Sequence, residues 1–135
     1  MGLLNTARVG DKFERQLVVS EQLVNNFAVL SGDFNPLHTN DKFAKSKGFP
    51  GRVVHGSILN LMISSIVGMS LNDDNVMLLS QRTSHKKPIF IDDIITAIGT
   101  ILTISTAVRV IEMRLKFKNQ DQILVAQGSC SLKCL

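Results

Sequence analysis

Gly56-Ser57-Ile58-Leu59-Asn60-Leu61-Met62-Ile63-Ser64-Ser65-Ile66-Val67-Gly68-Met69 is the stretch that decides the fold. Ile58, Leu59, Leu61, Met62, Ile63, Ile66, Val67 and Met69 cover nearly every direction of a helix, and a helix that is apolar all round is buried on all sides. At about 1.5 Å per residue it runs roughly 21 Å, close to the width of a small domain. The apolar run is broken by Asn60, Ser64 and Ser65 and is too short to cross a bilayer. The rest of the chain must wrap it.

The C-terminal half supplies the wrapping. Ile111, Met113, Leu115 and Phe117 alternate with Glu112, Arg114, Lys116 and Lys118, the period of a half-buried strand. Residues 94–104 and 123–132 are apolar, β-branched runs of strand length, and residues 76–87, closed by Pro88, form another. Residues 72–75 and 119–122 read as turns. On the N-terminal side, Phe13, Leu17 and Val19 mark a first strand. Ser20 caps a helix that ends at Gly32, and Asn40 or Asp41 caps a short helix over residues 42–47, stopped by Gly48. The expected fold class is α+β in one domain, residues 1–135: an antiparallel sheet, solvated on one face, curled around a long buried central helix.

At 135 residues, with 44% hydrophobic and 19% charged residues, the chain is long enough to bury a core. It has seven Phe but neither Trp nor Tyr, so a stacking surface for nucleobases is not expected. The net charge of +4 suits an anionic small molecule or an acidic partner surface, without the dense basic stripe of a nucleic-acid reader. Cys130 and Cys134 would share one strand face with Cα atoms on the order of 13 Å apart, beyond disulfide reach. Free thiols in a reducing compartment follow. With neither a signal peptide nor a membrane span read from the sequence, a cytoplasmic location is expected, or the mitochondrial matrix if the source is eukaryotic.

The chemistry concentrates in Ser31-Gly32-Asp33-Phe34-Asn35-Pro36-Leu37-His38. Asp33 and His38 would point apart on a helix or a strand, and only a bent connection such as Asn-Pro brings them together. Taken alone, the segment also reads as a helix stop followed by a solvated loop. A convergent carboxylate and imidazole, by contrast, form the acid/base pair that adds or removes water.

Residues 27–38, together with Gly51-Arg52-Val53-Val54-His55-Gly56 leading into the buried helix, resemble the hydratase signature of the MaoC-like, (R)-specific enoyl-CoA hydratase family. Leu78-Leu79-Ser80-Gln81 and Pro88-Ile89 resemble that family's next strand and its ending. The resemblance implies a hot-dog fold, dimerisation, and reversible hydration of trans-2-enoyl thioesters of coenzyme A or acyl carrier protein to (R)-3-hydroxyacyl thioesters. It further implies that Asp33 and His38 are the catalytic pair and that Gly56 offers a backbone N–H to the thioester carbonyl. Asn35 supports the turn, and Ser64 matches a polar position near the pair. No cofactor or metal is implied.

Around that pair, His55 is expected to pack or hydrogen-bond at the helix start and is counted with the substrate-binding residues rather than as a metal ligand. Arg52, with Lys42, Lys45 and Lys47, reads equally as a solvated face or as a binder of coenzyme A phosphates or of the acidic surface of an acyl carrier protein. His85 reads as a solvated face residue. Asp92-Asp93 replaces a Gly-Asp pair common in the family, and Asp tolerates the left-handed turn that this position requires. Ser84-His85 stands where an aromatic is common, which bears on acyl-chain length. Two other functions remain in competition: a hot-dog acyl thioesterase, and a non-catalytic acyl-binding subunit.

Overall fold

A computed structural model describes residues 2–135. A single turn, α1 (Leu3–Thr6), precedes strand β1 (Lys12–Val18). The Leu3 N–H donates to the Asp73 carboxylate at 2.7 Å, which ties the N-terminus to the turn beyond the central helix. Helix α2 (Glu21–Ser31) starts where the Ser20 hydroxyl accepts from the Leu23 N–H, and ends at Gly32 with φ 75°. The Asn-Pro bend is itself a one-turn helix, α3 (Pro36–Thr39), whose Leu37 N–H donates to the Asn35 side chain. Asn40 caps α4 (Asp41–Ser46) in the same way. Each boundary follows from local side-chain chemistry at orphan helix donors.

The central rod is wound in three ways: a 3₁₀ turn (Gly56–Ile58), helix α5 (Leu59–Ser65) and a π-helical turn (Ile66–Ser70). Ile58, Leu59, Met62, Ile63, Ile66 and Val67 are buried. The expectation of burial on all sides is corrected here. Ser57, Asn60, Ser64 and Gly68 are exposed, along with Leu61 and Met69. Those four small or polar residues recur every three or four positions, so they trace one open stripe along the rod.

Strands β2 (Val76–His85), β3 (Ile94–Ser105), β4 (Val110–Lys118) and β5 (Leu124–Cys134) join β1 in an antiparallel sheet of order β1-β3-β4-β5-β2. Its inner face packs Ile95, Ala97, Ile101, Ile111, Met113, Leu115, Phe117, Ala126, Cys130 and Leu132 against the rod, while Glu112, Arg114 and Lys116 face out. Each large side chain so buried contributes roughly 1.5–3 kcal/mol. Two glycines let layers touch. A Cβ at Gly99 would sit 2.6 Å from Met113 Cε, and one at Gly128 would sit 1.8 Å from the Arg82 carbonyl oxygen. Asp92 does adopt the left-handed conformation, φ 74°, and the Asp93 carboxylate accepts from the Phe90 N–H, closing that turn.

Both cysteines are free and buried, and burial pushes the Cys130 thiol up to about 11. β2 carries a bulge between Leu78 and Ser80. Beyond it, Gln81, Thr83 and His85 stand opposite Cys130, Gly128 and Ala126, which sets these three on the inner face of an otherwise apolar sheet. No helix among the described residues is long and apolar enough to cross a membrane.

Candidate active site

α2, the Gly32 stop and α3 together bend the chain so that Asp33 and His38 converge. His38 Nδ1 lies 2.6 Å from the Val53 carbonyl oxygen. A carbonyl can only accept, so this bond fixes the Nδ1–H tautomer and leaves Nε2 as a bare acceptor. That nitrogen faces Asp33 Oδ2 at 3.6 Å. The separation exceeds a direct hydrogen bond and suits one water donating to both groups. The Asp33 carboxylate is steadied through its other oxygen, which accepts from the Asn35 N–H at 3.1 Å, while the Ser31 hydroxyl accepts from the Asp33 N–H. Asn35 thus orients Asp33 through its backbone and caps α3 through its side chain. Asp33 is about half exposed (47%), whereas His38 is largely covered (16%).

Under His38 lies His55, 2% exposed. The two imidazoles stack with centroids 4.0 Å apart, and Phe27 packs on the other side of His55 at 4.9 Å. His55 Nε2–H donates to the Asp33 carbonyl at 2.9 Å, and its Nδ1 is buried without a partner. The assignment of His55 to substrate binding is corrected on this ground. It is a floor that holds the His38 ring and the Asp33 backbone at fixed spacing. Asp33, His38 and His55 do bring three ligand-type atoms within 4.8 Å. Nε2 of His55 is nevertheless committed to a carbonyl.

Arg52 is corrected more sharply. Its side chain is only 8% exposed. Nε–H donates to the His38 carbonyl at 2.6 Å, Nη2 to Asn25 Oδ1 at 2.7 Å, and Nη1 pairs with Glu21 at 3.4 Å. Its own N–H donates to Asp41. The guanidinium fork joins α2 to α3 and commits a donor on each of its three nitrogens to the protein, in a side chain buried away from the surface. Ser64 lies about two turns beyond Gly56 on the exposed stripe of the rod.

Gly56 opens the rod at the floor of a cleft of about 370 Å³, shared with His38, Val53, Val54, His85, Lys86, Lys87, Pro88 and Ile89. A Cβ on Gly56 would stand 2.8 Å from His85 Cε1 and 2.9 Å from its Nε2. His85 is therefore part of this site. It escapes notice in the sequence because its approach depends on strand pairing far along the chain.

Residues 5–123 match the family model described as the MaoC like domain. The chain belongs to that family. Among curated relatives, this MaoC-like chain is 41% identical over 71 residues to an (R)-specific enoyl-CoA hydratase of Aeromonas caviae, a stretch that spans 53% of each protein. It is 28% identical over 127 residues to a mitochondrial 3-hydroxyacyl-acyl-carrier-protein dehydratase of Arabidopsis thaliana, over 92% of this chain and 75% of that protein. The matched stretch thus spans about half the length of the bacterial hydratase. A solved (R)-hydratase from A. caviae superposes with a TM-score of 0.91 at 28% identity, over 96% of this chain and 98% of that one. The hot-dog architecture of the MaoC-like fold is accordingly that of this protein.

Proposed function

We propose that this MaoC-like protein is a hydro-lyase that reversibly hydrates trans-2-enoyl thioesters to (R)-3-hydroxyacyl thioesters. The observation that carries the reading is the 3.6 Å gap between two acceptors, Asp33 Oδ2 and His38 Nε2, with His38 and Gly56 lining one cleft at the head of the central rod. A water in that gap donates one hydrogen to each group and turns a lone pair outward. Its oxygen attacks C3 of the enoyl thioester while Asp33 takes one of its protons. Negative charge moves to the thioester oxygen, where the Gly56 N–H, an unpaired donor of the first helical turn at the positive end of the helix dipole, stabilises the enolate. The proton taken by Asp33 passes to His38 Nε2 and from there to C2, which completes the addition and restores both groups, and the reverse sequence expels water. Gly56 has no side chain in the way of the incoming thioester.

The names of the relatives support both carriers, coenzyme A and acyl carrier protein, and support the (R) product. A homodimer fits the open edge of β2, where Met77 and Leu79 are half exposed. Cytoplasm or mitochondrial matrix is the location that goes with this reading. Incubation with crotonyl-CoA tests the reading: loss of enoyl absorbance without free thiol supports hydration. Release of thiol would instead identify a thioesterase, and no change in either signal would leave the non-catalytic subunit as the surviving function.

A further inference from the structure

The inner face of the sheet is apolar on β3, β4 and most of β5, yet β2 presents Gln81, Thr83 and His85 there. These three face Ser57 and Asn60 on the open stripe of the rod, and together with Gly56 the five enclose a second cleft of about 240 Å³. It meets the first cleft at Gly56 and His85, which line both. The Thr83 hydroxyl is buried and has no hydrogen-bond partner. An orphan hydroxyl beside two amide side chains is costly unless something supplies its partner. The edge of His85 that carries both ring nitrogens is the edge turned toward Gly56, since Cε1, Nε2 and Nδ1 are the atoms nearest its Cα–H.

Charge distinguishes the two clefts. Lys86 and Lys87 line the first and suit the phosphates of a thioester carrier, so the carrier arm lies there with its carbonyl at Gly56. The acyl group then extends past Gly56 into the second cleft. We propose that Ser57, Asn60, Gln81, Thr83 and His85 form an acyl-end subsite that selects chains bearing an oxygen function, a hydroxyl or a carbonyl, over plain hydrocarbon chains of the same length. This rests on the hydro-lyase reading. An alkyl tail in that cleft would strip water from the exposed Gln81 and Asn60 and leave the Thr83 hydroxyl without a partner, and a site built to pair with a polar group rejects the analogue that lacks it.

The test compares 6-hydroxy-trans-2-hexenoyl-CoA with trans-2-hexenoyl-CoA as substrates, and the saturated pair 6-hydroxyhexanoyl-CoA and hexanoyl-CoA as calorimetric ligands. The wild type is expected to favour the hydroxylated member by about tenfold or more in kcat/KM and in affinity. Thr83→Val and Gln81→Leu should bring both ratios to one or below while crotonyl-CoA turnover stays within about threefold of wild type, and Thr83→Ser should keep the preference. A wild-type preference for the plain chain, or ratios untouched by either variant, overturns the subsite. Calorimetry reads the preference without turnover. Absence of hydration with the binding ratio intact therefore defeats the hydro-lyase reading and leaves the subsite standing.

Discussion

Replacing Arg52 separates a residue that builds the site from one that binds substrate. In Arg52→Met the volume is kept, but the His38 carbonyl and Asn25 Oδ1 lose donors that now stand at 2.6 and 2.7 Å. Charge-assisted bonds of this kind contribute roughly 1.5–3 kcal/mol each. The contact with Glu21 adds little, because that carboxylate is 71% exposed. A loss of about 3–5 kcal/mol follows, the usual cost of breaking a buried charged network. For a chain of this length that lowers the melting midpoint by about 10 °C or more. Arg52→Lys keeps the charge but not the planar fork, and should cost about 2 kcal/mol. Since one end of the fork anchors the backbone of His38, kcat should fall by about tenfold in the lysine variant with little change in KM. Thermal unfolding gives the first quantity, and hydration of crotonyl-CoA alongside crotonyl-pantetheine, which lacks the distal phosphates, gives the second. A lysine variant with the wild-type midpoint and kcat, but a raised KM for the coenzyme A thioester alone, would refute the reasoning and make Arg52 a phosphate ligand.

Asp33→Asn and His38→Ala should each lower hydration by about 10²-fold or more with the chain still folded, the scale of general acid–base groups. Near-native rates in both would remove the pair from the chemistry. Gly128→Ala drives a methyl to within 1.8 Å of the Arg82 carbonyl oxygen, a backbone atom that cannot swing aside. It should destabilise the fold by about 3 kcal/mol or more in chemical denaturation, whereas a silent substitution would mean that β2 and β5 are spaced more widely. Burial raises Cys130 from 9.0 to about 11, so the folded chain holds its proton where the unfolded chain has already lost it. Stability therefore falls as pH rises from about 9 toward 11, and Cys130→Ala should flatten that decline. Thiol labelling of the folded wild type at pH 8 should be slow for the same reason.

What the sequence reveals, and what it conceals, divides along physical lines. Helix caps at Ser20 and Asn40 and the alternation of Ile111, Met113, Leu115 and Phe117 are local patterns, and they are met by local structure. The coming together of Asp33 and His38 is legible because a Gly stop and an Asn-Pro bend sit between them. The open stripe of the rod is missed when apolar residues are counted by number, and it is visible once Ser57, Asn60, Ser64 and Gly68 are placed at helical spacing. Arg52 looks like a surface cation because its partners, Glu21, Asn25, His38 and Asp41, arrive from three separate segments. His85 is hidden by the bulge at Leu78/Ser80, which reverses the facing of every later residue on β2. Long-range pairing decides both, and no window of sequence contains it.

The segment from Asp33 to His38 is clipped to one neighbouring stretch at four points: His38 Nδ1 to Val53, the His38 carbonyl to Arg52, the Leu37 carbonyl to the Val53 N–H, and the Asp33 carbonyl to His55. A turn stapled in this way has no hinge of its own, and it travels only if the 52–55 stretch travels too. The wall across the cleft is held differently: His85, exposed at the end of β2, packs over Gly56 with no side-chain hydrogen bond among the described residues. The 3.6 Å spacing of Asp33 and His38 is thus set by backbone bonds to one stretch rather than by either side chain alone.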